Sequence, residues 1–257
     1  MTARPVLSVR DLRVGLSSET RELVHGVNFD VFAGETVGLV GESGSGKSLT
    51  LRSICGLLPD GVIRAGGSAT VDFEGSGEVR DGADVRGRGI AMVFQEPMTS
   101  LNPTMRIGDL VTIGPRTLHG LSRDDARSRS LELLREVGIP DAERRLRAWP
   151  HELSGGLRQR VMIAMALATD PKILLCDEPT TALDVSVQDQ ILRLLVQLKE
   201  SRGLSMVLVT HDLGVVSQVC DRVMVMENGC IVESGSTSEI LSNPRHDYTQ
   251  RLIEAAR

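Results

Sequence analysis

Aromatic side chains are nearly missing from this sequence: one Trp, one Tyr and four Phe, 2% of 257 residues. That scarcity argues against a base-stacking platform for single-stranded nucleic acid. A basic surplus is missing as well, because 34 acids outnumber 29 bases and leave a net charge of −5. A protein held to nucleic acid through its phosphates needs the opposite balance. The four cysteines (Cys55, Cys176, Cys220, Cys230) form no CxxC pair or metal-ligand spacing. They are expected as reduced thiols, mostly small core residues. No apolar run approaches the ~20 residues of a membrane span; the longest extends only from Val161 to Ala168. The opening MTARPVLSVRDLRV lacks the apolar stretch of a secretory signal, so the chain is expected to stay in the cytosol.

What is present is a globular composition, 41% hydrophobic and 25% charged, enough for a sizeable core. The length is long for one ordinary domain and short for two, which predicts one large α/β domain carrying an insertion. VLSVRDLRV alternates as a strand, and LVHGVNFDVFAGETVGLVG gives two more, separated by Ala33 and Gly34. Thr36 to Val40 is continuously apolar, as in a strand buried on both faces. Gly61 to Ala91 is glycine-rich with short strand-like pieces (SATVDFEG, IAMVF) and reads as a peripheral antiparallel region. From about Pro97 to Ala168 the pattern is helical, with LSRDDARSRSLELLREVG capped by Ser122 and ending at Gly138 before Pro140. After Asp170 strands and helices alternate again, and SEILSNPRHDYTQRLIEAAR closes with a short helix. The expected organisation is an α/β core with its β region over 1–96 and 169–242, a helical subdomain over 97–168, and a short tail over 243–257.

Gly41-Glu42-Ser43-Gly44-Ser45-Gly46-Lys47-Ser48 fits G-x-x-x-x-G-K-[ST] between an apolar strand and an amphipathic helix. Such a loop turns backbone N–H groups onto phosphate oxygens at a helix N-terminus. Lys47 is expected at the β- and γ-phosphates of ATP, the Ser48 hydroxyl on Mg²⁺, and Leu49 beside the nucleotide. A second apolar strand, Ile173 to Asp177, ends in the acid that such sites use for Mg²⁺, and Glu178 follows in position to orient the attacking water. The fold class is therefore a P-loop NTPase core of mainly parallel sheet, and the chemistry is ATP hydrolysis.

Leu153-Ser154-Gly155-Gly156-Leu157-Arg158-Gln159-Arg160 resembles the signature of the ATP-binding subunits of ABC transporters, with Leu157 at the fifth position of LSGGQ. The resemblance implies that Ser154, Gly155 and Gly156 open a helix toward the γ-phosphate held by a partner subunit, so that each ATP lies between two chains. It also implies that Gln95 senses Mg²⁺ and leads to the permease, that Ala182-Leu183-Asp184 crosses the dimer interface, and that His211 contacts the γ-phosphate. The likeness runs from about Leu7 to Leu252. FQEPMTSLNP, CDEPTTALDVSVQ and NPRHDYTQRL look like the ATPases of dipeptide, oligopeptide and nickel importers. Those work as pairs of identical or related subunits on two permease chains, at the cytoplasmic face of the membrane, fed by an extracytoplasmic binding protein. Met98 to Pro103 would touch the permease.

Three departures from that pattern stand out. The stretch Val14 to Val24 has no aromatic residue to stack on adenine, so an aliphatic contact through Leu16 is expected. The end at Arg257, without the longer tail of many peptide-importer subunits, leans toward the nickel or metal-chelate type. Asp247 stands where many relatives have proline. Two other readings fit less well. A soluble ABC-type ATPase of translation or DNA repair would bring a second set of motifs or long heptad helices. A non-hydrolysing partner subunit would lack Glu178 or His211.

Overall fold

The computed structural model describes residues 4–72, 78–181 and 183–255. The chain begins with β1 (Leu7–Leu16), β2 (Glu22–Val31), β3 (Thr36–Val40) and α1 (Lys47–Ile54), then β4 (Val62–Asp72), β5 (Val79–Asp81) and β6 (Ile90–Val93). A helical stretch follows: α2 (Pro97–Ser100), α3 (Ile107–His119), α4 (Arg123–Glu136), α5 (Ala142–Arg145) and α6 (Gly155–Leu167). The rest alternates as β7 (Ile173–Asp177), α7 (Val185–Arg202), β8 (Ser205–Thr210), α8 (Leu213–Val219), β9 (Arg222–Glu227) and β10 (Cys230–Ser236). It closes with α9 (Thr237–Ser242) and α10 (Asp247–Ala255). Among the described residues no helix is long and apolar enough to cross a membrane.

Two sheets form. One is antiparallel in the order β2-β1-β4-β5; the other runs β10-β9-β3-β8-β7-β6, parallel except for β10. The parallel strands of the second sheet, β3 and β6 to β9, are buried on both faces, and their side chains alternate between two cores, as the pleat requires. Ile173 and Leu175 join Val37, Leu39, Val207 and Val209 against the antiparallel sheet and α1. Leu174 and Cys176 join Val40, Val93, Leu208 and the helices α3, α4, α6, α7 and α8 on the other side. Cys55, Cys176 and Cys220 are buried, and burial raises all three thiols, Cys55 to about 12. Cys230 is exposed.

One expected placement is corrected. The glycine-rich context groups IAMVF with the antiparallel region, but β6 pairs in parallel with β7, Val93 beside Cys176, and forms the edge of the main sheet. Four apolar residues specify a buried strand without saying which sheet buries it. The last residues of SATVDFEG, 73–75, lie outside the described residues. The Ser122 cap forms as expected, its hydroxyl accepting the Asp125 N–H at 3.1 Å; Asp184 caps α7 in the same way, accepting the N–H of Val187 at 3.0 Å.

The structure also accounts for Asp247. It is the first residue of α10, because the Gln250 N–H closes the first turn on the His246 carbonyl at 3.0 Å. Proline suits that position because its missing N–H is not needed there; an acid suits it through the helix dipole. Asp247→Pro is accordingly expected to change unfolding free energy by no more than about 0.5 kcal/mol, as measured by denaturant titration.

Candidate functional site

The register of the parallel sheet sets Val40 beside Thr210 and Asp177 beside Val209. The residues that follow these strands, Gly41, Glu178 and His211, therefore emerge along one edge, with Gln95 just past β6. This is where open α/β sheets place ligands. A cleft of about 720 Å³ opens there, lined by Gly41 to Gly44, Gly46 to Leu49, Gln95, Glu178, Thr181, His211 and Leu252. Ser45 lies behind the loop, 7% exposed. Only glycine fits at 41, since a Cβ there would stand 2.2 Å from the Met226 carbonyl oxygen.

Lys47 is 4% exposed and donates to the carbonyls of Gly41 at 2.8 Å and Glu42 at 2.7 Å. Burial lowers its pKa, against the pull of Glu178, Asp177 and Glu42. At the floor, the Ser48 hydroxyl donates to Asp177 Oδ1 at 2.6 Å. Asp177 Oδ2 is buried with no hydrogen-bond partner, 3.7 Å from Arg52 Nε. An orphaned carboxylate oxygen beside a serine hydroxyl is a donor set suited to a hard divalent cation.

Glu178 carries the densest set of contacts. Its Oε2 accepts from Gln95 Nε2 at 3.1 Å and Thr181 Oγ1 at 2.7 Å, and lies 3.5 Å from His211 Nδ1. The backbone at Glu178 has φ 46°, a left-handed turn that costs about 1–2 kcal/mol in a residue other than glycine. Strain of this kind persists where the surroundings over-determine it. Here the turn carries the carboxylate from the end of β7 to the cleft wall.

The structure thus brings together the loop, Gln95, Asp177, Glu178 and His211, and leaves Ser154, Gly155 and Gly156 out of the cleft lining. Ser154 is exposed, and its side chain caps no backbone group of α6. Gly156 lets α6 approach α7: a Cβ there would meet Val187 Cγ1 at 2.5 Å. Ala182 of the expected interface loop lies outside the described residues. Leu16, expected at adenine, is half-buried at the end of β1 opposite Val62, and no residue from 14 to 24 lines the cleft. The aliphatic side chains that do are Leu49 and Leu252.

Sequence reading missed Thr181, Arg52, Tyr248 and Leu252. The Tyr248 hydroxyl accepts the Glu42 N–H at 2.8 Å. The four-residue spacing of Tyr248 and Leu252 predicts a shared helix face, but nothing local names its neighbour.

Burial, with Glu178 adding to it, raises Asp177 above the ordinary carboxylate range; Ser48, Arg52 and Lys47 oppose this. A carboxyl with a raised folded pKa holds its proton better when folded, so stability falls as pH climbs from the ordinary value through the raised one. Asp177→Asn keeps an acceptor for Ser48 and removes the charge. Its nucleotide-free melting temperature is expected at or above wild type near pH 7, with a smaller decline as pH climbs above about 4, the ordinary aspartate value. Thermal unfolding across that range checks it.

Comparison with known proteins agrees with this geometry. The sequence profile of the ABC transporter family matches residues 24–181, more than half the chain. The peptidoglycan transport ATP-binding protein YejF of Agrobacterium fabrum is 50% identical over 98% of this chain, which spans 47% of that protein. The oligopeptide transport ATP-binding protein OppD of Bacillus subtilis is 48% identical over 96% of this chain and 71% of its own length. Among solved structures, the dimeric ATP-binding cassette MJ0796 with ADP and Pi superposes with a TM-score of 0.75 at 29% identity, covering 90% of this chain and 98% of that one. The chain belongs to the ABC transporter family, as an ATP-binding cassette.

Proposed function

We propose that this chain is the ATP-hydrolysing subunit of an importer for peptides, paired with an identical or related subunit on two permease chains at the cytoplasmic face of the membrane. An extracytoplasmic binding protein would supply the substrate. The observation that carries the reading is the Glu178 carboxylate, held by Gln95 and Thr181 beside His211 at the wall of the phosphate-loop cleft. A carboxylate fixed beside a γ-phosphate position can orient and polarise an attacking water. His211 would contact the γ-phosphate oxygens, and Lys47 would exchange its carbonyl partners for the β- and γ-phosphates.

Ser48, Asp177 and Gln95 are the residues that would hold Mg²⁺, and the orphaned Asp177 Oδ2 fits that role. The ion, when bound, neutralises charge on the β- and γ-phosphates. Ser154, Gly155 and Gly156 would close the site of the partner subunit, consistent with their position outside this chain's own cleft. The relatives above are named as peptidoglycan and oligopeptide transport ATP-binding proteins, which favours the peptide class over nickel or metal chelates.

The helical segment 97–168 would act as a subdomain that carries Gln95's state to the permease. A groove of about 610 Å³ there is lined by Thr104 to Arg106, α3 and Trp149, with the Arg106 guanidinium 5.5 Å from the Trp149 ring. Met98, 66% exposed, lies in the segment leading to it. On this reading the permease contact extends beyond the 98–103 segment, onto α3 and the molecule's single tryptophan.

With permease present, Glu178→Gln is expected to lower ATP turnover at least about 100-fold; turnover equal to wild type would overturn the assignment. Met98→Asp is expected to lose co-purification with the permease while its far-UV circular dichroism stays that of wild type.

A further inference from the structure

The C-terminal helix is tied into the nucleotide site by contacts that the proposed function does not use. Glu233 on β10 accepts the backbone N–H groups of Arg245 at 2.8 Å and His246 at 3.1 Å. His246 Nδ1 in turn accepts the Tyr248 N–H at 3.2 Å. Arg251 reaches Glu227 on β9 at 3.6 Å. These contacts hold α10 so that the Tyr248 ring, 4% exposed, points its hydroxyl at the phosphate loop.

The contact falls on one peptide unit's neighbours in the loop. The Glu42 N–H goes to Tyr248, while the Glu42 carbonyl accepts from Lys47 Nζ. One turn along α10, Leu252 lines the cleft itself. We propose that Tyr248 is a positioning residue of the ATP site: its hydroxyl fixes the first turn of the phosphate loop, and α10, through Tyr248 and Leu252, forms a wall of the nucleotide cleft. The proposal rests on the cleft being an ATP site.

The physical reason is conformational. A loop rich in glycine has many alternatives, and a side-chain acceptor 206 residues away in sequence removes some of them. Without that acceptor the Glu42 N–H turns to water, and only part of the population keeps the binding-competent loop. Apparent affinity then falls by that fraction. Coupling is reciprocal, so nucleotide in the cleft also strengthens the docking of α10.

The test is Tyr248→Phe, which keeps the buried ring and removes the acceptor. Binding of a fluorescent ATP analogue is expected to weaken by about fivefold to thirtyfold. KM for ATP should rise by a similar factor, with kcat within about twofold, because no reacting group has changed. In wild type, amide hydrogen exchange across α10 should slow when nucleotide is added, and less so in the variant. Affinity and KM within twofold of wild type would overturn the proposal. So would a loss of kcat accompanied by a lower nucleotide-free melting temperature, which marks general destabilisation. If wild type binds the analogue but does not hydrolyse ATP, the proposed function fails while the binding comparison still decides the role of Tyr248.

Discussion

Everything chemical in this molecule depends on the register of one parallel sheet. Val40, Asp177 and Thr210 end adjacent strands at nearly the same level, because β3, β8 and β7 pair without slippage. A slip of one residue would turn each strand's inward set to the other face. Both faces are buried, by the antiparallel sheet on one side and helices on the other, so such a slip has no acceptable packing. Rigid packing is therefore what delivers the Ser48 hydroxyl to Asp177 across 129 residues of chain.

The site built on that frame is poised rather than relaxed. Lys47 and Asp177 are charged groups nearly or wholly withdrawn from water, one with its pKa lowered by burial and the other with its pKa raised. Asp177 Oδ2 has no donor, and Glu178 sits in a left-handed backbone conformation. Each of these costs free energy. A phosphate chain and a cation are the groups that would satisfy them together. Stability given up here is recovered by the two continuous cores.

Side-chain contacts and a short stretch of chain join the three regions that the proposed function uses. Gln95 holds Glu178 and leads directly into the segment containing Met98. Met98 meets the Arg158 guanidinium in the first turns of α6, the helix that Ser154 opens, and Arg158 also donates to the Pro150 carbonyl at 2.7 Å beside Trp149. By the proposed function, this is the route along which Gln95 would act on the groove and on Ser154. On the opposite side of the loop, Tyr248 brings in the C-terminal helix by the same means.

Whatever depends on neighbours in the chain could be read from the sequence alone. The phosphate loop, the acids ending β7, the Ser122 cap and the both-face burial of β3 all follow from residues within a few positions of one another. Tertiary structure alone decided the partners. The run IAMV announced a buried strand but not the sheet that took it. Thr181, Arg52, Tyr248 and Leu252 belong to the site because the fold carries them there, and Leu16 does not line the cleft because its strand ends elsewhere. A hydrogen bond between Glu42 and Tyr248 leaves no trace in local pattern, since its specificity lies in a close approach that only the folded chain creates.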